Sequence, residues 1–179
     1  GSSELNISDI QTKSFDLEVG AGNIVISNLL VEGKADIDGG AGKVVIKDSE
    51  LNNLDLDETK EPIIINTNVF KEMINQTVFA TSPSETRPLL TGINFRISGN
   101  ELEVLATDSY RLARKLVQID HELENDVNIV IPGKNLIELT KMLDDEDASL
   151  ELHLFSNKVL FKYLNVLFHF FLRRHRFVQ

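Results

Sequence analysis

Four stretches of this sequence come close to a pattern that could do chemistry. Gly39-Gly40-Ala41-Gly42-Lys43 has the glycines and the lysine of a phosphate-binding loop. That loop also needs a glycine at position 37 and a serine or threonine at 44 to hold magnesium. The chain has Ile37 and Val44 instead. Asp144-Asp145-Glu146-Asp147 gathers four carboxylates, but a calcium loop spaces its oxygen donors and turns on a glycine. This run does neither and reads as a solvated turn. The histidines His121, His153, His169 and His175 stand at no metal-ligating spacing, and with no cysteine the chain has no thiolate for zinc, an iron–sulfur cluster or catalysis. Ser109 lacks the Gly-x-Ser-x-Gly setting of a nucleophile elbow. These spacings predict no catalytic residue, no metal site and no cofactor.

The elements that would position any site are those of a folded protein. Of 179 residues, 42% are hydrophobic and 26% charged, close to the globular average, which excludes wholesale disorder. The length suits one or two small domains. No apolar run reaches the ~18 residues of a membrane span, and the first residues do not form a signal peptide. The chain begins Gly-Ser-Ser rather than Met, as a piece of a longer protein would. Acidic residues outnumber basic ones by 28 to 18, a net charge of −10 that argues against a nucleic-acid partner. The charge is uneven: residues 1–62 carry −8, residues 63–165 carry −5 and residues 166–179 carry +3.

The first 60 residues repeat. Phe15-Asp16-Leu17-Glu18-Val19-Gly20-Ala21-Gly22 and Ala35-Asp36-Ile37-Asp38-Gly39-Gly40-Ala41-Gly42 are 20 residues apart, and each is followed by a β-branched run. A shortened third copy begins at Leu54-Asp55-Leu56-Asp57. Strands and glycine turns at a 20-residue period predict the coils of a β-solenoid, with Phe15, Leu17, Val19, Ala35 and Ile37 inward. Asp16, Glu18, Asp36 and Asp38 then form a solvated outer face. Two and a half coils are few for a stable solenoid, so more are expected before residue 1. Residues 3–57 resemble the adhesin-type β-solenoid domains of bacterial cell-envelope proteins, a resemblance that implies no catalysis.

From Ile63 the pattern changes. Ile63–Ile65 predicts a strand, and Asn66 to Asn68 offer caps to a helix with Val69, Phe70, Met73, Ile74 and Val78 on one face. Gly92–Ile97 and Leu102–Thr107 predict a hairpin around Ser98-Gly99-Asn100. Tyr110–Ile119 and Val127–Ile131 add strands, and Pro132 starts a helix over Gly133–Leu143 with Leu136, Leu139, Met142 and Leu143 as its stripe. Ser149–Phe155 and Lys158–Tyr163 form a last hairpin across Ser156-Asn157. The order β-α-β-β-β-β-α-β-β describes an α+β domain, an antiparallel sheet with two helices on one face.

Three runs in this part carry a resemblance. They are Phe79-Ala80-Thr81-Ser82 with Glu85-Thr86-Arg87-Pro88-Leu89-Leu90-Thr91-Gly92-Ile93-Asn94-Phe95, then Leu105-Ala106-Thr107-Asp108-Ser109-Tyr110-Arg111-Leu112-Ala113, then Ile131-Pro132-Gly133-Lys134. Together they resemble the middle of three similar domains in the bacterial DNA polymerase III beta sliding clamp, over residues 61–168. The resemblance implies a non-catalytic processivity factor of DNA replication. In the intact family a head-to-tail homodimer closes a six-domain ring around double-stranded DNA, set there by a clamp loader. DNA polymerase III and other proteins with clamp-binding motifs dock in a surface pocket. It implies DNA contact for Arg87 and for Lys71, Lys134 and Lys141, although each lysine reads equally well as a solubilising helix residue. An acidic protein can still present a locally positive surface to phosphates.

The resemblance also assigns a partner-peptide pocket to Leu90, Thr107, Ser109, Tyr110, Arg111 and Leu112, with its other half expected from a third domain. Read without the family, the same letters are strand-core leucines around a turn. Residues 169–179, His-Phe-Phe-Leu-Arg-Arg-His-Arg-Phe-Val-Gln, depart from the family and are expected to be a non-homologous tail that packs little. The chain therefore reads as a chimera: a solenoid fragment at 1–60, a clamp domain at 61–168, and a tail. No closed ring is expected of it. Its expected place is the cytoplasm. A non-enzymatic cell-envelope solenoid protein at the cell surface is the alternative, and a fusion with no role of its own is a third.

Overall fold

The computed structural model of the protein describes residues 4–54, 61–144, 148–155, 158–164 and 166–172, with backbone alone at 39–41, 50–54, 121 and 171. In chain order its strands are β1 (Glu4–Thr12), β2 (Phe15–Lys47), β3 (Glu50–Leu54), β4 (Ile63–Asn66), β5 (Gly92–Thr107), β6 (Leu112–Pro132), β7 (Ser149–Leu154), β8 (Lys158–Tyr163) and β9 (Val166–Phe171). The helices are α1 (Thr67–Asn75) and α2 (Gly133–Met142), with short 3₁₀ turns at Val78–Ala80 and Pro88–Thr91. Two compact units result, one within Ile63–Leu150 and one combining Gly1–Pro62 with Glu151–Gln179.

In the second of these units, β2 runs for 33 residues. Drawn out straight it would span roughly 110 Å, so it must wind. It does: β1 pairs with it in parallel, Ile7 opposite Ile26 and Ile10 opposite Leu29, and β3 pairs further along, Leu30 opposite Glu50. Segments 19 or 20 residues apart are therefore stacked. Corners fall at Asp9, Asn28 and Asp48, each with φ near +50 to +60°. Gly42 sits where an added Cβ would strike the Gly22 carbonyl oxygen, so at this point the Gly-Ala-Gly repeat serves close backbone approach. Val19, Ile24, Ile26, Val31, Ala35, Ile37, Val44 and Ile46 fill the interior, each large one contributing about 1.5–3 kcal/mol by burial. Phe15 and Leu17 pack at its margin while Asp16, Glu18 and Asp38 are exposed, as the alternation predicts.

The same unit contains the antiparallel run β2-β9-β8-β7. Its β9 corrects the expectation of a loosely packed tail from residue 169. Phe168, His169 and Phe170 are all buried, with Val44 opposite His169 on one side and Leu160 opposite it on the other. The reason is period-2 patterning: Phe168 and Phe170 share one face and meet Phe161, while Leu167 and His169 share the other. Arg173, Arg174, His175 and Arg176, the turn at Ser156-Asn157, the carboxylates Asp145–Asp147 and most of the third repeat copy lie outside the described residues.

In the unit within Ile63–Leu150, Asn66 caps α1, its Oδ1 accepting from the N–H groups of Asn68 (2.9 Å) and Val69 (3.2 Å). Phe70, Met73 and Ile74 are fully buried, as are Leu136 and Leu139 of α2, which packs against α1. The expected hairpin at Ser98-Gly99-Asn100 is not made. A tight two-residue hairpin turn of type I′ needs positive φ at both central residues, and of these three residues only Gly99 has it, at +58°. The glycine instead makes an irregularity within one long strand. Thus β5 runs straight on and pairs antiparallel with β6 from Gly92 opposite Pro132 to Thr107 opposite Leu112.

Candidate partner-docking site

The turn joining β5 to β6 is built from its own side chains. Asp108 Oδ1 accepts from the backbone N–H groups of Tyr110 and Arg111, both at 3.0 Å. Those two bonds, Tyr110 first, hold the Asp108 carboxyl below the usual carboxylate range. Thr107 Oγ1 accepts from the Ser109 N–H at 3.1 Å and donates to the Arg111 carbonyl at 2.8 Å. Ser109 is thereby held at φ +79°, a region that costs a non-glycine residue roughly 1 kcal/mol or more. Pinned this way, the turn projects Tyr110 into solvent at 95% exposure and leaves Leu112 62% exposed.

Two further segments are tied to the turn. The Arg111 guanidinium, paired with Asp108 Oδ2 at 2.9 Å, lies over the Phe79 ring at 5.9 Å. Phe79 belongs to the 3₁₀ turn after α1 and is 56% exposed. Arg87 Nη1 donates to Ser109 Oγ at 3.2 Å. Leu90 is half-buried in the next 3₁₀ turn, where its N–H donates to the Arg87 carbonyl and its carbonyl accepts from the Ser82 N–H. The arrangement exposes Phe79, Tyr110 and Leu112 on segments that Arg111 and Arg87 tie together. Such a surface suits an apolar peptide anchor with polar or acidic neighbours.

The structure gives the predicted site residues different roles. Thr107 builds the turn rather than presenting a contact. Tyr110, Arg111 and Leu112 are presented. Arg87, expected to contact DNA, is hydrogen-bonded to Ser109 of the turn. Among the lysines, Lys71 Nζ donates to the Leu143 carbonyl at 3.4 Å, linking α1 to the end of α2. Lys134 faces Glu85 at 3.7 Å across exposed side chains, an ion pair of little energetic weight. Lys141 is exposed in the last turn of α2, where a cation suits the helix dipole. Phe79 was missing from the sequence-based assignment. Its signal is an aromatic residue out of step with the Phe70–Met73–Ile74 stripe, next to a proline-bearing loop.

Residues 64–173 match the family described as the DNA polymerase III beta subunit, central domain. The chain belongs to that family. The beta sliding clamp of Bacillus subtilis strain 168 is 45% identical over 126 residues, covering 66% of this chain and 33% of that protein. The beta sliding clamp of Staphylococcus epidermidis is 43% identical over 130 residues, covering 67% and 34%. A crystal structure of the DNA polymerase sliding clamp from Bacillus subtilis superposes with a TM-score of 0.63 at 42% identity, over 72% of this chain and 36% of that one. The fold is thus the α+β fold of a sliding-clamp domain. The chain spans about a third of the length of the relatives it matches. The residues of this candidate surface, from Phe79 to Leu112, fall wholly inside the matched range.

Proposed function

We propose that this chain is a piece of a DNA polymerase III beta sliding clamp, a non-catalytic processivity factor, and that the Phe79–Arg111 surface is its half of a partner-peptide pocket. The observation that carries this reading is the pinned β5–β6 turn, which presents Tyr110 and Leu112 to solvent within the family match. The partners are polymerase and repair proteins bearing clamp-binding motifs, with a clamp loader in the intact assembly. The place of action is the cytoplasm. In this reading residues 61–168 are the clamp module and residues 1–60 a β-solenoid. The solenoid reading has its own support in the 19- and 20-residue parallel registers and keeps a cell-envelope role as the second reading. The clamp is preferred because its match covers the larger part of the chain.

Of the DNA candidates, Lys71 and Arg87 hydrogen-bond within the fold, whereas Lys134, in a weak exposed pair with Glu85, and Lys141 are exposed on α2, so contact with double-stranded DNA is assigned first to these two. That contact should be weak and steeply salt-dependent. The 179-residue chain should not encircle DNA, since the family's ring takes six domains. Retention on nicked circular and on linear DNA at moderate salt, with a fluorescent clamp-binding peptide titrated in parallel, tests the reading. Equal, salt-sensitive loss from both DNA forms is expected. The peptide should bind at about 100 µM or weaker, roughly −5.5 kcal/mol. Retention on circles with release from linear ends would overturn the open-chain reading. Absence of any saturable peptide binding would overturn the pocket.

A further inference from the structure

Within the unit that holds the coils, β9 is gripped unequally by its two neighbours. It pairs with β8 at six positions, from Lys158 opposite Phe171 to Tyr163 opposite Val166, and only residues 164 and 165 separate these strands in the chain. It pairs with β2 at four positions, from Lys43 opposite Phe170 to Ile46 opposite Leu167, between segments far apart in sequence. Two further contacts support the shorter ladder. Lys158 Nζ donates to the Ile37 carbonyl at 2.7 Å, and Leu167 packs against the coil interior. Together they make a seam between the coils and the β8–β9 pair.

His169 is shut inside that seam. Strand pairing sets it in a row of Val44, His169, Leu160 and His153 across β2, β9, β8 and β7, on the same face as Leu167. It is 2% exposed, and neither ring nitrogen has a hydrogen-bond partner. A neutral imidazole has one donor and one acceptor, so the shut seam leaves both unmet and water would meet both. The charged groups around this face do not offset a proton on the ring. By alternation β2 presents Val44 and Ile46, β8 presents Lys158 and Lys162 on either side of Leu160, and β7 presents Glu151 and His153. Glu151 is already engaged, by His153 Nε2 at 3.0 Å and Lys162 Nζ at 3.7 Å. Beside Ile37 in the coil, Asp36 pairs with Lys34 and Asp38 is exposed. The nearby Lys158 charge opposes a second cation.

We propose that the seam between the coils and the β8–β9 pair is an acid-opened latch, with His169 as the group whose protonation opens it. While the seam is shut the ring is neutral. Opening gives both nitrogens water and lets the ring take a proton, so acid favours the open form. β9 then leaves β2 and stays with β8, because the β2 ladder is the shorter one and joins distant segments. Burial holds the shut-state imidazole at about 3 against an ordinary 6.5. The opening constant therefore rises up to about tenfold for each pH unit between those limits and is constant above them. This inference is independent of the clamp reading.

The test is residue-resolved amide hydrogen exchange on the full 179-residue chain at pH 7.5 and 5.5, each rate divided by the unstructured rate at the same pH. Protection of amides bonding across the β2–β9 ladder, within residues 43–46 and 167–170, should fall about tenfold. Protection across the β7–β8 and β5–β6 ladders should fall far less. His169→Leu removes the titrating ring, and His169→Gln keeps a polar side chain that does not titrate. In both, protection of the β2–β9 ladder should be the same at the two pH values. Three results would overturn the proposal: ladder protection in the unsubstituted chain that ignores pH, an equal loss over every ladder, or an acid response that persists in either variant.

Discussion

At the scale of single residues, His169 is the group whose environment most strongly sets its chemistry. Burial first, and the nearby Lys158 charge second, push its imidazole down to about 3 from an ordinary 6.5. Neither ring nitrogen has a hydrogen-bond partner. The folded protein therefore keeps this ring neutral where the unfolded chain protonates it. Stability from this site is complete above pH 6.5 and falls as pH drops from there toward 3, by up to about 1.4 kcal/mol per pH unit. His169→Leu should flatten that part of the profile and raise stability at pH 5, read by urea unfolding at several pH values. An unchanged slope would contradict the account. Little of this was legible in the sequence, where His169 opened an apparent tail. By contrast, the turn in the run from Thr107 to Leu112 was legible in the sequence, and each of its residues either builds that turn or is projected by it. Phe79 escaped because its role depends on Arg111, distant in sequence and met only in the fold.

At the scale of elements, glycine positions decided what the patterning alone could not. The 20-residue repeat and its inward alternation could be read directly, since period-2 burial needs only local sequence. The turns could not. Gly99 marks an irregularity in a continuous strand, both halves of which pair with β6. Gly42 is needed for space rather than for torsion. This distinction is testable with a matched pair. Gly42→Ala should cost about 1–3 kcal/mol, because the added methyl meets backbone. Gly20→Ala, where a Cβ meets nothing within 4 Å, should be close to neutral. Thermal melts of the two variants decide it, and equal destabilisation would mean that the coils do not stack at Gly22. The same limit explains β9. Its alternation was visible, but the strands that pair along both of its edges, β2 and β8, are set by long-range pairing.

At the scale of the whole molecule, the chain joins a run of stacked coils to a sliding-clamp domain. The family was legible because three motifs separated in sequence reflect one fold, and the match now extends to residue 173. Net charge pulls the other way: −10 argues against a nucleic-acid partner, although local charge rather than the total governs contact with phosphates. The central claim is that Phe79, Leu90 and the turn Ser109–Leu112 form a partner-docking surface. Its most direct test is chemical-shift mapping of an unlabelled clamp-binding peptide onto the isotope-labelled chain. The account predicts saturable shifts centred on Phe79, Leu90 and Ser109 to Leu112, lost in Leu112→Asp while the rest of the spectrum is retained. Shifts centred on α1 and α2, or a binding response that Leu112→Asp leaves intact, would contradict it.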